Sequence, residues 1–494
     1  MIFKPHSILH TWENARMWDT WLYFHDGRHY LFYLFKAHPR TPGSGIGLAI
    51  STDGVHFADH GPIIHKADDA VWLGTGMTWR VGDTFLLNFS EERNGLQEIF
   101  FAESDDLLHW RRLPDEEYVC RADPRWYADA PMFTSQRWDC IWVLPRDDGP
   151  GYIGFLTAVG REGPPGLCGT AGCVVSDDGR HFRAAPPAIE TGFWGDRVEV
   201  GAVERIGDRY YMLLGAYSLS LGSRHMARVP AGESGMYVLT SECQAGPYRL
   251  QPEQPLLLGS SPHPFTYFAR FYRCGQELLL NHHTVPRQPD GESTFSPLKA
   301  VHSTASGLLS LHWWTGNEAL KGSRQPTVLD GCGLYGLKQD ECEMGADRLR
   351  LTTPAGGQAV LPVRYNLARG IVLEANIGFD TPRGPLSCVG LFVEGERHNT
   401  GTVLVVQSDG RLTVGPYDGY AYKPEDTKPL VSAAGVPLHW RLLLRGTHLE
   451  VYVDDLLIQC YTLAFVPSGR LGFTVEACEA TVSNVIVWEM SLSG

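Results

Sequence analysis

Three acidic residues occupy comparable places in the sequence, each among aromatic or apolar residues and each shortly before a pattern typical of a hairpin. They are Asp19 in Met17-Trp-Asp-Thr-Trp21, Asp129 in Trp126-Tyr-Ala-Asp-Ala-Pro-Met-Phe133, and Glu199 in Asp196-Arg-Val-Glu-Val-Gly-Ala-Val203. Cleavage of a glycosidic bond uses one protonated and one ionised carboxyl group on opposite sides of the anomeric carbon. The pattern predicts that Asp19, Asp129 and Glu199 are catalytic carboxylates.

Glu204 competes with Glu199 for the third position. The two residues are five apart, and an odd offset on a continuous strand would place them on opposite faces. We therefore assign the role to Glu199.

The elements that must position these acids repeat along the chain. Ser51-Thr-Asp-Gly-Val-His-Phe57 recurs as Ser104-Asp-Asp-Leu-Leu-His-Trp110 and as Ser176-Asp-Asp-Gly-Arg-His-Phe182, each time after an apolar strand. We interpret Asp53, Asp105 and Asp178 as turn-forming residues of a recurring hairpin. The spacing suits four-stranded propeller blades with their loops.

Strands of a second recurring kind lie between these hairpins, each introduced by a polar turn. Four of them are Asp26–Tyr33, Val81–Asn88, Ile206–Leu214 and Cys274–Asn281, and Trp138–Val143 is counted as the fifth. Five such strands predict five blades.

The remainder of the chain has a different pattern. Beyond Trp313-Trp314 a Gly-rich polar connection leads to strands with period-two alternation, such as Gly370–Ile377 and Leu449–Val453. The sequence thus predicts an all-β protein with a five-bladed β-propeller at residues 1–322, a linker at 323–340 and a β-sandwich at 341–494. We expect the sandwich to pack against the propeller and stabilise it.

Composition limits the partners. A formal net charge of -14 makes nucleic acid and anionic membranes poor partners, and no stretch of about 18 apolar residues occurs. The 11 cysteines are odd in number and form no C-x-x-C pair, which argues against structural zinc. With no N-terminal apolar segment typical of a signal peptide, we expect a cytoplasmic protein with an oligosaccharide as partner. Assembly into a homo-oligomer stays open.

These features together resemble glycoside hydrolase family 32 and its relatives in families 43 and 68. Trp18-Asp19-Thr20-Trp21 corresponds to the Asn-Asp-Pro-Asn segment of family 32, Ala128-Asp129-Ala130-Pro131 to its Arg-Asp-Pro segment, and Glu199-Val200-Gly201 to its Glu-Cys-Pro segment. Leu73–Met77 is similar to its Ser-Gly-Ser turn. The chain departs from the family in lacking the Asn-Asp-Pro-Asn signature, in having Ala128 in place of Arg and in having Val200 in place of Cys.

The resemblance implies a retaining β-fructofuranosidase acting on fructo-oligosaccharides or a related sugar. Asp19 would be the nucleophile, Glu199 the acid and later the base, and Asp129 the stabiliser of the transition state. Aromatic rings that could stack on sugar and polar groups that could meet hydroxyls predict a substrate-binding set: Trp18, Trp21, Trp72, Trp79, Tyr127, Trp194, Arg197 and His283.

Three other functions stay open. An inverting arabinofuranosidase or xylosidase similar to family 43 would use the same positions, with Asp19 as a base acting through water. A fructosyl-type transferase would let a second sugar intercept the covalent intermediate, and a non-catalytic propeller would only bind carbohydrate. We expect no metal or cofactor, although some family 43 relatives hold a central cation near a histidine placed as His283 is.

Overall fold

A computed structural model describes residues 16–36, 44–128, 137–216, 234–254, 256–260, 266–284, 287, 295–384, 387–430 and 436–492. For residues 16–18, 36, 260 and 267 it describes the backbone alone. Asp129 and the side chain of Trp18 therefore lie outside the described residues. Nowhere in the described ranges is there a helix that is long and apolar enough to cross a membrane.

The chain divides into two compact units. The first comprises residues 1–286 and 290–310, and the second comprises residues 287–289 and 311–494. Strands make up most of both units. Within the described ranges, the short helical segments are α1 (Asp115–Tyr118) and two 3₁₀ turns (Thr315–Leu320 and Gln339–Glu341).

The first unit contains four separate antiparallel sheets and a further group of strands. The first sheet consists of β1 (Arg16–His25), β2 (Arg28–Lys36), β3 (Gly45–Ser51) and β4 (Ala58–His65), and the second of β5 (Trp72–Val81), β6 (Thr84–Arg93), β7 (Leu96–Ser104) and β8 (Arg111–Arg112). The third sheet consists of β9 (Trp138–Pro145), β10 (Tyr152–Val159), β11 (Gly169–Ser176) and β12 (Arg183–Ala185). The fourth consists of β13 (Glu199–Ile206), β14 (Arg209–Ala216), β15 (Ser234–Ser241), β16 (Arg249–Leu250) and β17 (Leu256–Ser260). The further group is β18 (Thr266–Cys274), β19 (Glu277–Thr284) and β20 (Lys299–Ser303), and β21 (Leu309–Trp313) spans the division between the units.

The core of this unit lies between neighbouring sheets. One buried cluster joins Trp21, Phe32 and Leu48 of the first sheet to Leu87 and Phe100 of the second. A second cluster joins the second sheet to the third in the same way. Each sheet therefore covers its apolar faces with those of its neighbours, as propeller blades do.

Five strands, here called the inner strands, form a closed ring: β1 contacts β5, β5 contacts β9, β9 contacts β13, β13 contacts β18, and β18 contacts β1. Each inner strand carries one extra residue relative to its partner strand, which is a β-bulge. The bulges lie at Trp18/Thr20, Leu73/Gly76, Asp139/Trp142, Val200/Ala202 and Tyr267/Arg270. The repetition makes the five strands equivalent.

Polar side chains of the second strands hold the bulges of the neighbouring inner strands. Asn88 in β6 makes two hydrogen bonds with the backbone of Ile141, at 2.8 and 3.0 Å. The hydroxyl of Thr157 in β10 accepts a hydrogen bond from the Val200 amide at 2.8 Å. The amide of Asn281 in β19 donates to the carbonyl of Thr20 at 3.2 Å and to its hydroxyl at 3.0 Å.

The recurring turn has the same hydrogen bonds in all three copies. In the first, Ser51 Oγ donates to Asp53 Oδ1 at 2.8 Å, and the backbone amides of Val55 and His56 donate to the same oxygen at 2.8 Å. Asp106 and Asp178 repeat this arrangement. The equivalent acid of the second copy is therefore Asp106; its assignment to Asp105 was wrong.

The assignment of Trp138–Val143 to the second kind of strand was also wrong. β2, β6, β14 and β19 are second strands, as predicted, but β9 is the inner strand of its sheet and β10 is its second strand. Trp138–Val143 also lacks the Gly-containing turn that introduces each of the other four strands.

The second unit is built around one long strand. Its strands are β22 (Lys321–Gln325), β23 (Gly333–Tyr335), β24 (Cys342–Met344), β25 (Arg348–Val360), β26 (Ile371–Pro382), β27 (Cys388–Gly395), β28 (Gly401–Gln407), β29 (Arg411–Tyr417), β30 (Asp426–Pro429), β31 (Leu438–Arg445), β32 (His448–Val453), β33 (Leu456–Thr462) and β34 (Pro467–Met490). β34 pairs antiparallel with β22, β25, β26 and β27. The alternation predicted for Gly370–Ile377 is present in the second half of that segment, in β26, where Glu374 and Asn376 are partly exposed between buried residues. The alternation predicted for Leu449–Val453 is wrong, because every residue of β32 is buried. The all-β class is thus confirmed.

Candidate active site

Asp19 is the extra residue of the bulge in β1. Its backbone has a φ of 28°, which is unusual for a residue with a side chain and is held here by the surrounding strands. The carboxyl is 22% exposed. Burial raises the pKa of Asp19 to about 7, and the charges of Glu199 and Asp139 add to that rise against the opposing charge of Arg270. Asp19 is therefore an acid with close anionic neighbours.

Glu199 begins β13 and is paired with an arginine that sequence reasoning did not single out. Arg137 Nη2 donates to Glu199 Oε1 at 2.7 Å, and the same nitrogen lies 3.3 Å from Asp139 Oδ2. The Glu199 side chain is 26% exposed. One guanidinium thus bridges two carboxylates that both act on Asp19.

Asp139 is the second residue of β9 and was also missed. Ser90 donates to its Oδ1, and only 6% of the residue is exposed. Burial raises the pKa of Asp139, which the Arg137 charge opposes. The sequence does contain a pattern that could have indicated Asp139. Trp138-Asp139 repeats the Trp18-Asp19 pair near the start of an inner strand, and Arg137 stands two residues before the acid.

Arg270 in β18 is fully buried beside Asp19. Its guanidinium donates to the carbonyl of Gly76, to Thr75 Oγ1 at 3.2 Å and to Cys140 Sγ at 2.8 Å. Thr75 and Cys140 lie in the bulges of β5 and β9, so one side chain from β18 ties together the bulged segments of two other inner strands. Its charge lowers the pKa of Asp19.

His283 in β19 is a predicted binding residue whose side chain lies near a predicted catalytic acid. Its Nδ1 is 4.0 Å from Asp19 Oδ1 and accepts a hydrogen bond from the Phe268 amide at 3.4 Å. Burial lowers the pKa of His283 to about 4, so the ring is neutral at pH 7 and does not balance the carboxylate charges.

Most of the predicted sugar-stacking aromatic residues lie in the core. Trp21, Trp79, Tyr127 and Trp194 are 5% exposed or less. The polar atoms of three of them are bound inside the protein: Trp21 Nε1 donates to Thr78, Trp79 Nε1 to the Gly179 carbonyl, and the Tyr127 hydroxyl to the Ala185 carbonyl. These side chains leave little surface for a ligand. Trp21 and Trp79 lie on inner strands, where alternation brings every second residue between the sheets, and Tyr127 and Trp194 are buried beside strands of the third sheet.

Two of the predicted binding residues are accessible. Trp72 is partly exposed and donates from Nε1 to Glu92, and Arg197 is exposed two residues before Glu199. The described geometry therefore gathers Asp19, Asp139 and Glu199 with Arg137, Arg270 and His283. This set offers three carboxyl groups, together with positive charge that can hold them in place.

The fold is shared with solved structures of low sequence identity. The β-fructofuranosidase BmSUC1 of Bombyx mori, described as a family 32 enzyme, superposes with a TM-score of 0.67 at 13% identity, covering 99% of this chain and 94% of that one. Fructan 1-exohydrolase IIa of Cichorium intybus gives 0.68 at 13% identity, covering 100% and 99%. Sucrose-6-phosphate hydrolase of Lactobacillus gasseri gives 0.63 at 13% identity, covering 94% and 88%.

No family model matches the sequence, and no curated protein matches it at a significant level. The resemblance to family 32 predicted from the sequence is thus confirmed at the level of the fold.

Proposed function

We propose that this protein is a glycoside hydrolase that cleaves furanosides, and specifically a retaining β-fructofuranosidase acting on fructo-oligosaccharides or a related sugar. The observation that carries the proposal is the gathering of Asp19, Asp139 and Glu199 from three different inner strands of this fold. The similar structures include a β-fructofuranosidase and a fructan exohydrolase, which supports the same substrate class.

In the proposed reaction Asp19 attacks the anomeric carbon and Glu199 protonates the leaving oxygen. A covalent intermediate forms, and Glu199 then takes a proton from the water that hydrolyses it. Asp139 is the described residue best placed to stabilise positive charge in the transition state, because its charge already acts on Asp19. Asp129 keeps the same role as a competing proposal.

The position of the proton constrains this mechanism. In the free protein Glu199 is ion-paired with Arg137, while Asp19 has a pKa of about 7. For cleavage the proton must be on Glu199 and Asp19 must be ionised. We infer that Arg137 remains with Asp139 when Glu199 becomes protonated, since the same nitrogen already contacts both acids.

The test is proton NMR of the purified protein with sucrose, inulin-type and levan-type fructo-oligosaccharides, arabino-oligosaccharides and xylo-oligosaccharides. Parallel samples carry Asp19→Ala, Glu199→Gln, Asp139→Asn and Asp129→Asn, with the exposed turn residue in Asp105→Asn as a matched control. We expect a fructoside to be hydrolysed with retention, and hydrolysis to fall by at least about 100-fold in the first three variants. A loss with Asp129→Asn but not with Asp139→Asn would return the third role to Asp129.

The other outcomes decide between the alternatives. Turnover with inversion would indicate a family 43-like enzyme, in which the carboxyl groups stand farther apart to admit water. Transfer of fructose to another sugar would indicate a transferase; a fructosyltransferase from A. japonicus shares the fold with a TM-score of 0.64, at 13% identity and covering 99% of this chain and 95% of that one. Binding without turnover would indicate a carbohydrate-binding propeller.

We also propose that the first unit is a five-bladed propeller, with β18–β20 supplying the fifth blade. The closed ring of five inner strands and the five equivalent bulges support this proposal. The second unit is proposed to be a sandwich with a stabilising role. An experimental structure in which β18–β20 did not form a sheet at the ring would contradict the five-blade proposal.

A further inference from the structure

A cavity of about 320 Å³ opens in the first unit at a place distinct from the carboxylates. All five inner strands line it, and each contributes residues that follow its bulge: Phe24 of β1, Arg80 of β5, Leu144 of β9, Glu204 of β13 and Arg273 of β18 are examples. Asp19, Asp139 and Glu199 lie at or before the bulges. The cavity therefore occupies the opposite end of the ring from the candidate active site.

The bulge in β13 explains how Glu204 reaches this cavity. Glu199 and Glu204 are five residues apart, and a regular strand would turn them to opposite faces. The extra residue between Val200 and Ala202 reverses the alternation, so both face the interior of the ring. One strand thus supplies a carboxylate to each end.

Arg270 separates the two ends. Its fully buried guanidinium binds Gly76 and Cys140. Gly76 directly precedes the cavity-lining residue Met77, and Cys140 stands two residues before the cavity-lining residue Trp142. The guanidinium also lies 5.9 Å from the centre of the Trp142 ring. A molecule in the cavity would therefore contact Trp142, and the Arg270 guanidinium would lie between that molecule and the carboxylates of the candidate active site.

The walls combine apolar ring faces with polar groups. Tyr23, Phe24 and Tyr152 are partly exposed aromatic residues in the lining. Glu204 Oε1 accepts two hydrogen bonds from Arg273, at 2.9 and 3.2 Å. Among the described residues, Glu204 Oε2 and the hydroxyls of Tyr23 and Tyr152 have no hydrogen-bond partner, so they can bind a ligand's hydroxyl groups.

The charges around the cavity cancel. Arg273 pairs with Glu204, and Arg80 pairs with Asp83 at 3.0 Å. A charged ligand would have to break one of these pairs, whereas a neutral ligand with hydroxyl groups would not. Sugars have this chemistry, because their C–H faces pack on aromatic rings and their hydroxyls bind carboxylates and phenols.

We propose that this cavity is a second, non-catalytic binding site for a small neutral carbohydrate, a mono- or disaccharide. Its volume is at the lower end of the range of about 300–1,000 Å³ that small-molecule sites occupy. The site is independent of the proposed hydrolysis, because it shares no side chain with the carboxylate cluster.

The experiment is isothermal titration of the full chain carrying Asp19→Ala, so that sugars are not consumed. Glucose, fructose and sucrose are the probes, and benzoate is an anionic aromatic control. Cavity variants are Phe24→Ala, which removes a stacking ring, and Glu204→Gln, which keeps the shape and removes the charge. Tyr420→Ala is the matched control, since Tyr420 is a 98% exposed aromatic residue in the second unit.

We expect at least one sugar to show a binding site that Phe24→Ala and Glu204→Gln each weaken by at least about fivefold, while Tyr420→Ala leaves it unchanged. Phe24→Ala in the otherwise native chain should leave turnover unchanged. The proposal is overturned if no sugar binding responds to the cavity variants, or if benzoate alone binds there. Circular dichroism of each variant identifies any that fail to fold, and crystals soaked in the same sugar then give the deciding result for the native chain.

Discussion

Asp19, a candidate catalytic residue, should lower the stability of the folded protein at high pH. The folded protein raises the pKa of Asp19 from 3.8 to about 7, so folding favours the protonated acid. The associated stability is complete below about pH 4 and is lost as the pH rises through 7. At about 1.4 kcal/mol per pH unit the loss is at most about 4 kcal/mol.

Asp19→Asn should therefore stabilise the protein at pH 8 and have little effect at pH 4. The amide keeps the shape of the acid and cannot ionise. Thermal unfolding at both pH values measures the change in stability. Asp105→Asn is the control, and we expect it to leave the unfolding temperature unchanged at both pH values. A lower unfolding temperature for Asp19→Asn at pH 8 would show that the carboxylate is stabilised by its surroundings.

Arg270 should set the pH at which Asp19 becomes ionised. If ionised Asp19 is the nucleophile, kcat/KM rises with pH through the pKa of Asp19 near 7. Arg270→Met removes a charge that lowers this pKa, so the rise should move to higher pH by about one unit. Arg270→Lys should restore much of the original profile. A fall in kcat without a shift in the pH profile of kcat/KM would show that Arg270 has only a structural role.

At the residue scale, Asp19 and Glu199 were predicted because each stands in a segment that resembles family 32, and the structure brings them close enough for the charge of Glu199 to act on Asp19. Asp139 and Arg137 were missed. Their segment had been assigned to a second strand, and strand rank within a blade depends on contacts with other blades, which no local pattern encodes. The aromatic residues beside the acids were overvalued because the packing between sheets uses the same residue types as sugar binding.

Among the elements, the bulges of the inner strands depend on side chains from neighbouring sheets. Asn281 is fully buried and binds both polar groups of Thr20, the residue after Asp19. Asn281→Ala should lower the free energy of unfolding by about 1–3 kcal/mol, because the Thr20 groups lose their partner. Urea unfolding measures the loss, and activity should fall with it. Unchanged stability would mean that water replaces the amide.

In the second copy of the recurring turn, the adjacent residues Asp105 and Asp106 allow the contribution of the side-chain hydrogen bonds to stability to be measured. Asp106 accepts hydrogen bonds from the amides of Leu108 and His109, whereas Asp105 makes no such contacts. Asp106→Ala should destabilise the protein by roughly 1 kcal/mol and Asp105→Ala by less than about 0.5 kcal/mol. Urea unfolding of the two variants side by side tests this. Equal losses would show that the turn does not depend on its side-chain cap.

The turns were predictable from sequence because their hydrogen bonds run between residues two or three apart. The bulges could not be predicted from the sequence. A single extra residue in β13 reverses the orientation expected for Glu204, and nothing in Val200-Gly201-Ala202 distinguishes a bulged strand from a regular one. Only the pairing with β14 reveals it.

At the scale of the whole molecule, all 11 cysteines are free thiols, and nine of them are buried. Burial raises the pKa of several, including Cys140 to about 11, which keeps them unreactive. A thiol reagent should therefore label Cys243, more slowly Cys274, and the remainder only after denaturation. The unfolding temperature should not change with reductant. Rapid labelling of more than two thiols in the native state would contradict this arrangement.

The all-β class could be predicted because strand alternation is local, and the boundary between units was harder to locate. The structure divides the chain between residues 310 and 311 and assigns residues 287–289 to the second unit. The sequence placed a boundary after residue 322, within the Gly-rich polar stretch that follows Trp313-Trp314. Composition marks where strands stop, whereas the division depends on which residues pack together.

The hydrogen bond between Asn281 and Thr20 joins residues that are 261 positions apart. A ribosome releases Asp19 early, but Arg270, Asn281 and His283 emerge only when β18 and β19 have been synthesised. A nascent chain that ends before β18 can contain every strand of four sheets and still lack three of the side chains around Asp19. We therefore expect the proposed hydrolysis to begin only when the first unit is almost completely translated.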